Sequence, residues 1–196
     1  MSYKTERLEP ELKLFGKWSF GGIEVNDLGL KRYISLKQVQ LPHSGGRHEH
    51  QRFEKSKISI VERLVNNMMR HGKVGGKKVK AINIVRMSFE IINLKTGRNP
   101  TEILIRAIEK SAPCEDTTRV GRGGIVYHKA VDISPQRRVD LALRLLADGA
   151  RNASFKKAKP IEESLAIELM NAAAGDNQSF AVSKRYEMER VAASSR

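Results

Sequence analysis

Residues 116–160 read DTTRVGRGGIVYHKAVDISPQRRVDLALRLLADGARNASFKKAKP. This pattern predicts two β-prone runs followed by an amphipathic helix. The β-prone runs, Thr117–Val120 and Ile125–Ile133, flank Gly121-Arg122-Gly123-Gly124. Glycine reaches positive φ angles without strain, so this segment is typical of a β-hairpin, here one with a basic tip. Ser134-Pro135 then predicts a helix start, because serine favours the N-cap and proline favours the first helical position.

Two arginines follow at a place where a helix dipole disfavours cations. Arg137 and Arg138 occupy the first turn of the predicted helix, where an exposed cation costs roughly 0.3–1 kcal/mol. A phosphate would offset that cost, since free helix N–H groups and two guanidinium groups can converge on one anion. The helix is expected to end at Gly149, and basic residues then surround Phe155: Arg151, Lys156, Lys157 and Lys159.

Composition limits the class of protein. A chain of 196 residues can form one domain with an appendage or two small domains. Its formal net charge of +14 favours a polyanionic partner, with nucleic acid ahead of an acidic membrane. A single cysteine rules out an intramolecular disulfide and fits a reducing cytoplasm. The N-terminus lacks an apolar signal region and no run of eighteen apolar residues occurs, so we expect a soluble, non-secreted protein.

Outside the central stretch, the chain divides into an extension and a helical part. Residues 1–55 predict an extension with short β segments and a basic loop, docked by apolar anchors at Leu28, Leu30, Tyr33, Ile34 and Leu36. Apolar stripes and capping signals predict further helices after Ser59 (a capping box with Glu62), over Lys77–Leu94, between Asn99 and Pro113, over Ile161–Ala174 and over about Ser179–Ser194. The predicted fold is mainly α: a single six-helix domain over 56–196, a protruding β-hairpin at about 116–133, and an N-terminal extension containing short strands.

Three possible chemical sites lack residues or spacings that their chemistry requires. HGKVGGKKVK, residues 71–80, differs from a phosphate-binding P-loop in its glycine spacing, its missing Ser or Thr and its preceding helix. His43, His48 and His50 lack the further ligands that would complete a metal shell. Cys114 has no neighbouring cation in a helix N-terminus that would activate a thiol, and no Ser–His–Asp grouping stands out. We therefore expect no cofactor, no metal site and no catalytic residue.

The basic clusters have an ordinary alternative, because cations on helices usually pair with acids one turn away. Lys110 near Arg106 and Glu109 fits this ordinary alternative, as do Arg185 and Glu189. Arg119 and Arg122 on a protruding hairpin do not, so RNA contact is favoured there. Tyr127, Phe155 and Tyr186 could stack on bases, although each could equally belong to the core.

The series PHSGGRH, SIVERLVNNMMR, GKKVKA, TGRNP, APCEDTTR, GRGGIVYHKAVDISPQRRVDLALR and SKRYEMERVAASSR resembles the small-subunit ribosomal protein S-seven family in its archaeal and eukaryotic branch. The resemblance covers about residues 12–196. It implies a six-helix domain with a protruding hairpin that binds the 3′ major domain of small-subunit rRNA and helps nucleate head assembly. It also implies proximity of the hairpin to the messenger exit path and exit-site tRNA, and contacts with neighbouring small-subunit proteins.

The basic segments and this resemblance together give the residues expected to contact RNA: Arg47, His48, Lys77, Lys78, Arg119, Arg122, Lys129, Arg137, Arg138, Arg151, Lys156, Lys157, Lys159, Lys184 and Arg185. Bacterial members carry a strongly basic N-terminal arm, whereas residues 1–11 here mix basic and acidic side chains. No RNA contact is therefore transferred to that end.

The prediction is a non-enzymatic, structural rRNA-binding protein of cytoplasmic ribosomes that recognises shape and phosphates rather than bases. Two alternatives remain open at this point. One is a free-standing DNA- or RNA-binding regulator that uses the Ser134 helix for recognition. The other is a small hydrolase that uses Cys114 and His128.

Overall fold

A computed structural model describes residues 12–70, 72–121 and 126–196. Predictions for residues 1–11 and for Arg122 at the hairpin tip lie outside these ranges. The described α-helices are α1 (Leu28–Lys31), α2 (Ile60–Met68), α3 (Lys78–Thr96), α4 (Pro100–Ser111), α5 (Pro135–Ser154), α6 (Ile161–Ala174) and α7 (Phe180–Ser194). Strands β1 (Glu115–Val120) and β2 (Tyr127–Asp132) form an antiparallel hairpin. The mainly α fold with six helices after residue 55 and one hairpin is confirmed.

Helix α6 lies at the centre of the bundle and packs against α3, α4 and α5. Its buried residues are mostly small or aliphatic, which allows neighbouring helices to approach closely: Ser164, Leu165, Ala166, Leu169 and Ala172. The prediction that α5 ends at Gly149 is wrong, because the helix continues to Ser154. Gly149 serves packing instead, since an added Cβ would lie 3.0 Å from atoms of Glu168 and Phe180.

Two predicted N-caps differ from expectation in their side-chain bonding. Ser59 and Ser134 occupy the N-cap positions of α2 and α5, but neither side chain makes a capping hydrogen bond. The capping box between Ser59 and Glu62 is therefore wrong, because the Glu62 carboxylate bonds to Ser44 and Lys78. Asn99 does cap α4, accepting from the backbone N–H of Thr101 at 3.0 Å.

The extension contributes to the same hydrophobic core as the helices. Trp18 contacts Phe89 of α3 edge to face, with ring centroids 5.8 Å apart, and Leu30 and Ile34 are buried. Leu28 is 83% exposed, so its predicted role as an anchor is wrong. The β structure of residues 12–55 is limited to isolated bridges, Leu14 with Trp18 and Ser35 with Ser59 just beyond this range, and the expected short strands are absent from this part of the chain.

The hairpin is anchored at its base and exposed toward its tip. Helix α7 packs against β1, and Arg196 forms an ion pair with Glu115. The N–H of Ile133 donates to the carbonyl of Cys114 at 2.9 Å. Burial decreases along β1, from intermediate at Glu115 to exposed at Val120. Among the helices of the described ranges, none combines the length and apolarity needed to cross a membrane.

Candidate nucleic-acid interface

One basic cavity is built from three separate segments of the chain. It has a volume of about 380 Å³ and lies between the end of α2, the turn Gly72–Val74 and the region where α5 ends and α6 begins. We call it the α2–α5 groove. Arg70, Arg151 and Lys156 supply its positive charge, and Met68 and Phe155 are among its apolar lining residues. The structure thus brings together Arg151 and Lys156, both predicted to contact RNA, with Arg70, which the sequence prediction omitted.

Within the part of the chain that the structure describes, the cations of the α2–α5 groove have no acidic partner. Arg70 and Arg151 form no side-chain ion pair or hydrogen bond within the described ranges, and the nearby Asp148 pairs with Arg144 at 3.7 Å. Lys156 has a positive φ of 56° and its Nζ lies 5.5 Å from the centroid of the Phe155 ring. Lys157, which is exposed, and Lys159, which is half-buried, continue the basic loop toward α6.

Lys77 and Lys78 are adjacent in sequence but have different environments. Lys77 is exposed. The side chain of Lys78 is only 17% exposed, and its Nζ lies 2.5 Å from the carboxylate of Glu62. Burial alone raises the pKa of Glu62, but hydrogen bonds from Lys78 and Ser44 outweigh burial, so the net pKa is lowered from 4.5. The charge of Lys78 is therefore compensated within the protein by the Glu62 carboxylate.

The two arginines at the start of α5 also differ. Arg138 is 15% exposed and pairs with Asp27 at 3.1 Å, while its Nε donates to the carbonyl of Pro113 at 3.1 Å. Arg137 is 63% exposed and lies 3.8 Å from Asp116. A protein carboxylate therefore supplies, for Arg138, the compensation that the sequence analysis expected from a phosphate. Arg137 borders a shallow basic hollow together with Arg52 and Lys55.

On the hairpin, the register separates the predicted RNA-binding residues. In the strand register, Arg119 lies opposite His128, whereas Lys129 lies opposite Thr118. Because side chains alternate between the two faces of a strand, Arg119 and Lys129 lie on opposite faces of the hairpin. Both are exposed. Arg122 belongs to the tip, outside the described residues.

The other predicted residues lie in the extension and on α7. Arg47 is exposed, and His48 is held by Ser44, with 3.2 Å between Ser44 Oγ and His48 Nδ1. Lys184 pairs with Glu187 at 2.5 Å. Arg185 pairs with Glu189 at 3.7 Å and donates to the carbonyl of Lys110 at 2.7 Å. The ordinary pairing considered for Arg185 in the sequence is confirmed.

The three aromatic candidates are surface residues rather than core residues. Tyr127, Phe155 and Tyr186 are each about half exposed or more. Arg70 could have been found from its position directly before the glycine-containing loop HGKVGGKK. Nothing in the local sequence, however, indicates that this loop lies beside the end of α5.

The residues considered for catalysis are far apart. His128 pairs across the hairpin with Arg119, five residues along the chain from Cys114, a separation of roughly 17 Å at about 3.4 Å per strand residue. A Cys114–His128 pair is therefore wrong. Within the described residues, no cluster of three or more His, Cys, Asp or Glu side chains is arranged to hold a metal ion.

A helical bundle with a projecting hairpin and several separate basic surfaces is typical of a structural nucleic-acid-binding protein. The sequence matches the model of the family described as Ribosomal protein S7p/S5e over residues 30–196. It is also 53% identical over 193 residues to the small ribosomal subunit protein uS7 of Cenarchaeum symbiosum (strain A), covering 94% of this chain and 97% of the relative.

The chain belongs to the ribosomal protein S7p/S5e family. The family identified from the sequence is confirmed, and the chain is a structural, rRNA-binding ribosomal protein rather than an enzyme. Family membership argues against both alternatives, the free-standing regulator and the hydrolase.

Proposed function

We propose that this chain is a structural constituent of the small ribosomal subunit in the cytoplasm that binds the 3′ major domain of the small-subunit rRNA and helps nucleate assembly of the subunit head. The observation that carries the proposal is the convergence of Arg70, Arg151 and Lys156 on one groove without a described acidic partner. Uncompensated cations repel one another, and the phosphates of a folded RNA offset that repulsion. The name of the archaeal relative, a protein of the small ribosomal subunit, supports the same assignment.

The hairpin is proposed to lie near the messenger exit path and exit-site tRNA. Arg119 and Lys129 support this, because they give the projecting hairpin a cation on each face. The anchoring of its base by α7 leaves the outer half of the strands exposed. Such a hairpin can contact nucleic acid on both sides while the helical bundle holds rRNA.

The test is equilibrium binding of the full chain to a transcript of the 3′ major domain across a salt series. We expect Arg151→Gln to weaken binding and to lower the slope of log K against log salt by about 0.7–0.9 per lost phosphate contact. The matched control is Arg106→Gln, which removes the same charge from an arginine already paired with Glu102 on α4. Equal effects of the two variants would contradict the proposal. So would equal affinity of the wild-type protein for the transcript and for an unrelated duplex of the same length.

Assembly is tested separately by reconstituting small-subunit heads with and without the protein. We expect co-sedimentation with small subunits after a high-salt wash and failure of later head proteins to join when the protein is omitted. Normal joining of those proteins in its absence would overturn the assembly role, even if rRNA binding were retained.

A further inference from the structure

Phe155 belongs to the lining of two hollows. One is the α2–α5 groove, of about 380 Å³, and the other, of about 430 Å³, lies between α5 and Phe180. Phe155, Arg151 and Asp148 line both. Each volume falls in the lower part of the roughly 300–1,000 Å³ range of small-molecule sites. Phe155 is 60% exposed, so much of its surface is available to a ligand.

An exposed phenylalanine alone indicates little, because single apolar residues are common on protein surfaces. Phe155 differs because it shares the α2–α5 groove with cations from two parts of the chain, Arg70 after the end of α2 and Arg151 with Lys156 from the α5–α6 region. Lys156 is held in the left-handed region, with φ 56°. A residue other than glycine is strained in this conformation, and such strain is concentrated at functional sites.

We propose that Phe155 is a stacking platform for unpaired nucleotides of the bound RNA. One base lies against the ring in the α2–α5 groove, and its phosphates contact Arg151 and Lys156. The strand then crosses Phe155 into the second hollow, where the next nucleotide lies. This inference rests on the proposed function. It adds base stacking on Phe155 to the phosphate contacts, which duplex RNA alone could satisfy.

The occupant is an RNA strand rather than a free nucleotide or a protein segment. The two hollows share Arg151 and Phe155, so two consecutive nucleotides joined by one phosphate can fill both, whereas a mononucleotide fills one. Cations that have no acidic partner among the described residues lie next to an exposed ring, and this arrangement matches the alternation of phosphate and base along a single strand. Duplex RNA has its bases stacked internally and offers none to Phe155.

The proposal is tested with Phe155→Trp, whose emission reports stacking directly. The natural Trp18 is buried and packed on Phe89, so it provides a constant background. The matched control is Leu94→Trp, which places an exposed tryptophan beside Lys95 near the far end of α3. The probes are a single-stranded hexaribonucleotide, a duplex of the same length and AMP. We expect the hexamer to quench the Phe155→Trp protein and to leave the Leu94→Trp protein unchanged.

A second variant measures the contribution to affinity. Phe155→Leu keeps an apolar side chain but removes the ring, and loss of one base–aromatic stack of about 1–3 kcal/mol corresponds to roughly 5- to 150-fold weaker binding to the 3′ major domain transcript. Far-ultraviolet circular dichroism and thermal melting verify that both variants fold. Because the ring is exposed, wild-type melting is expected.

The outcomes separate this proposal from the proposed function. Normal binding of the transcript with no quenching and no effect of Phe155→Leu would overturn the stacking platform and leave the rRNA function intact. Absence of transcript binding by the wild-type protein would overturn both. Equal quenching by duplex and single strand would overturn the requirement for unpaired bases, and saturation by AMP alone would overturn the strand as the occupant.

Discussion

The Oε1 atom of Glu62 lies 2.5 Å from Nζ of Lys78, joining α2 to the first residue of α3. The same oxygen accepts hydrogen bonds at 2.8 Å from the backbone N–H and the hydroxyl of Ser44. One buried carboxylate therefore fixes two helices and the basic loop that carries Arg47 and His48. The position of Arg47 and His48 therefore depends on an acid beneath the surface.

Replacing Glu62 with glutamine should destabilise the protein in a pH-dependent way. Loss of hydrogen bonds to a charged group costs roughly 1.5–3 kcal/mol, and we expect a decrease of that size in the free energy of unfolding at pH 7. Because the folded pKa of Glu62 is lowered from 4.5, the stabilisation is complete above pH 4.5 and is lost as the pH falls through the folded pKa. Urea unfolding at several pH values measures the difference.

The control for Glu62→Gln is Glu102→Gln. Glu102 pairs with Arg106 on the surface of one helix, and such pairs contribute about 0.3–0.5 kcal/mol. A stability difference between wild type and Glu62→Gln that stayed constant from pH 7 down to pH 2 would contradict the assigned role of Glu62.

Lys77→Ala and Lys78→Ala should have opposite effects on rRNA affinity and on stability, although the two residues are neighbours. Lys77 is exposed, so its loss should weaken rRNA binding and reduce the salt slope by about 0.7–0.9 with little change in stability. Lys78→Ala leaves the buried Glu62 carboxylate without its cation, which typically costs about 3–5 kcal/mol. Thermal melting and filter binding distinguish the two effects. Equal loss of affinity with unchanged melting would mean that Lys78 also faces RNA.

Replacing the two arginines at the start of α5 should likewise separate an effect on stability from an effect on rRNA binding. Arg138→Ala removes hydrogen bonds to Asp27 and to the Pro113 carbonyl and should cost roughly 1.5–3 kcal/mol of stability. Arg137→Ala should change stability by less than about 1 kcal/mol, as for exposed pairs, while weakening rRNA binding. A double-mutant cycle with Asp27→Ala measures the Arg138 pair, and a coupling energy near zero would show that the contact contributes nothing.

The sequence predicted the helices well because their signals are local. Asn99-Pro100 and Gly97 mark boundaries that the structure confirms, and the predicted Ile161–Ala174 agrees with α6. Gly149 misled the prediction because a helix-ending glycine and a packing glycine look identical in sequence. The distinction lies in Glu168 and Phe180, which contact it from other helices.

The candidate site was less predictable, because charge partners depend on long-range packing. The sequence identified the basic segments, but the partner of Arg138 is 111 residues away. The α2–α5 groove likewise combines segments whose proximity no local pattern encodes, which is why Arg70 was missed. The sequence could therefore predict which regions are cationic, whereas the fold decides which cations remain available for RNA.

Gly149→Ala tests the packing interpretation of that glycine. In an exposed helix interior this substitution stabilises by about 1 kcal/mol through helix propensity. Here the new methyl group would lie 3.0 Å from the Glu168 carboxylate and from Cβ of Phe180. The Glu168 carboxylate accepts hydrogen bonds from the Ser179 hydroxyl and from the N–H of Ala181, so it cannot move without disturbing the start of α7.

We therefore expect Gly149→Ala to lower the free energy of unfolding by about 1–3 kcal/mol, as overpacked cores do. Asn152→Ala, one turn further along α5 at an exposed position, is the matched control and should change stability by less than about 0.7 kcal/mol. Because the start of α7 is displaced, hydrogen exchange at Ala181 and Val182 should accelerate in Gly149→Ala alone. If Gly149→Ala melted above the wild type, the helix would have room for a side chain there, and the glycine would be explained by neither helix termination nor close packing.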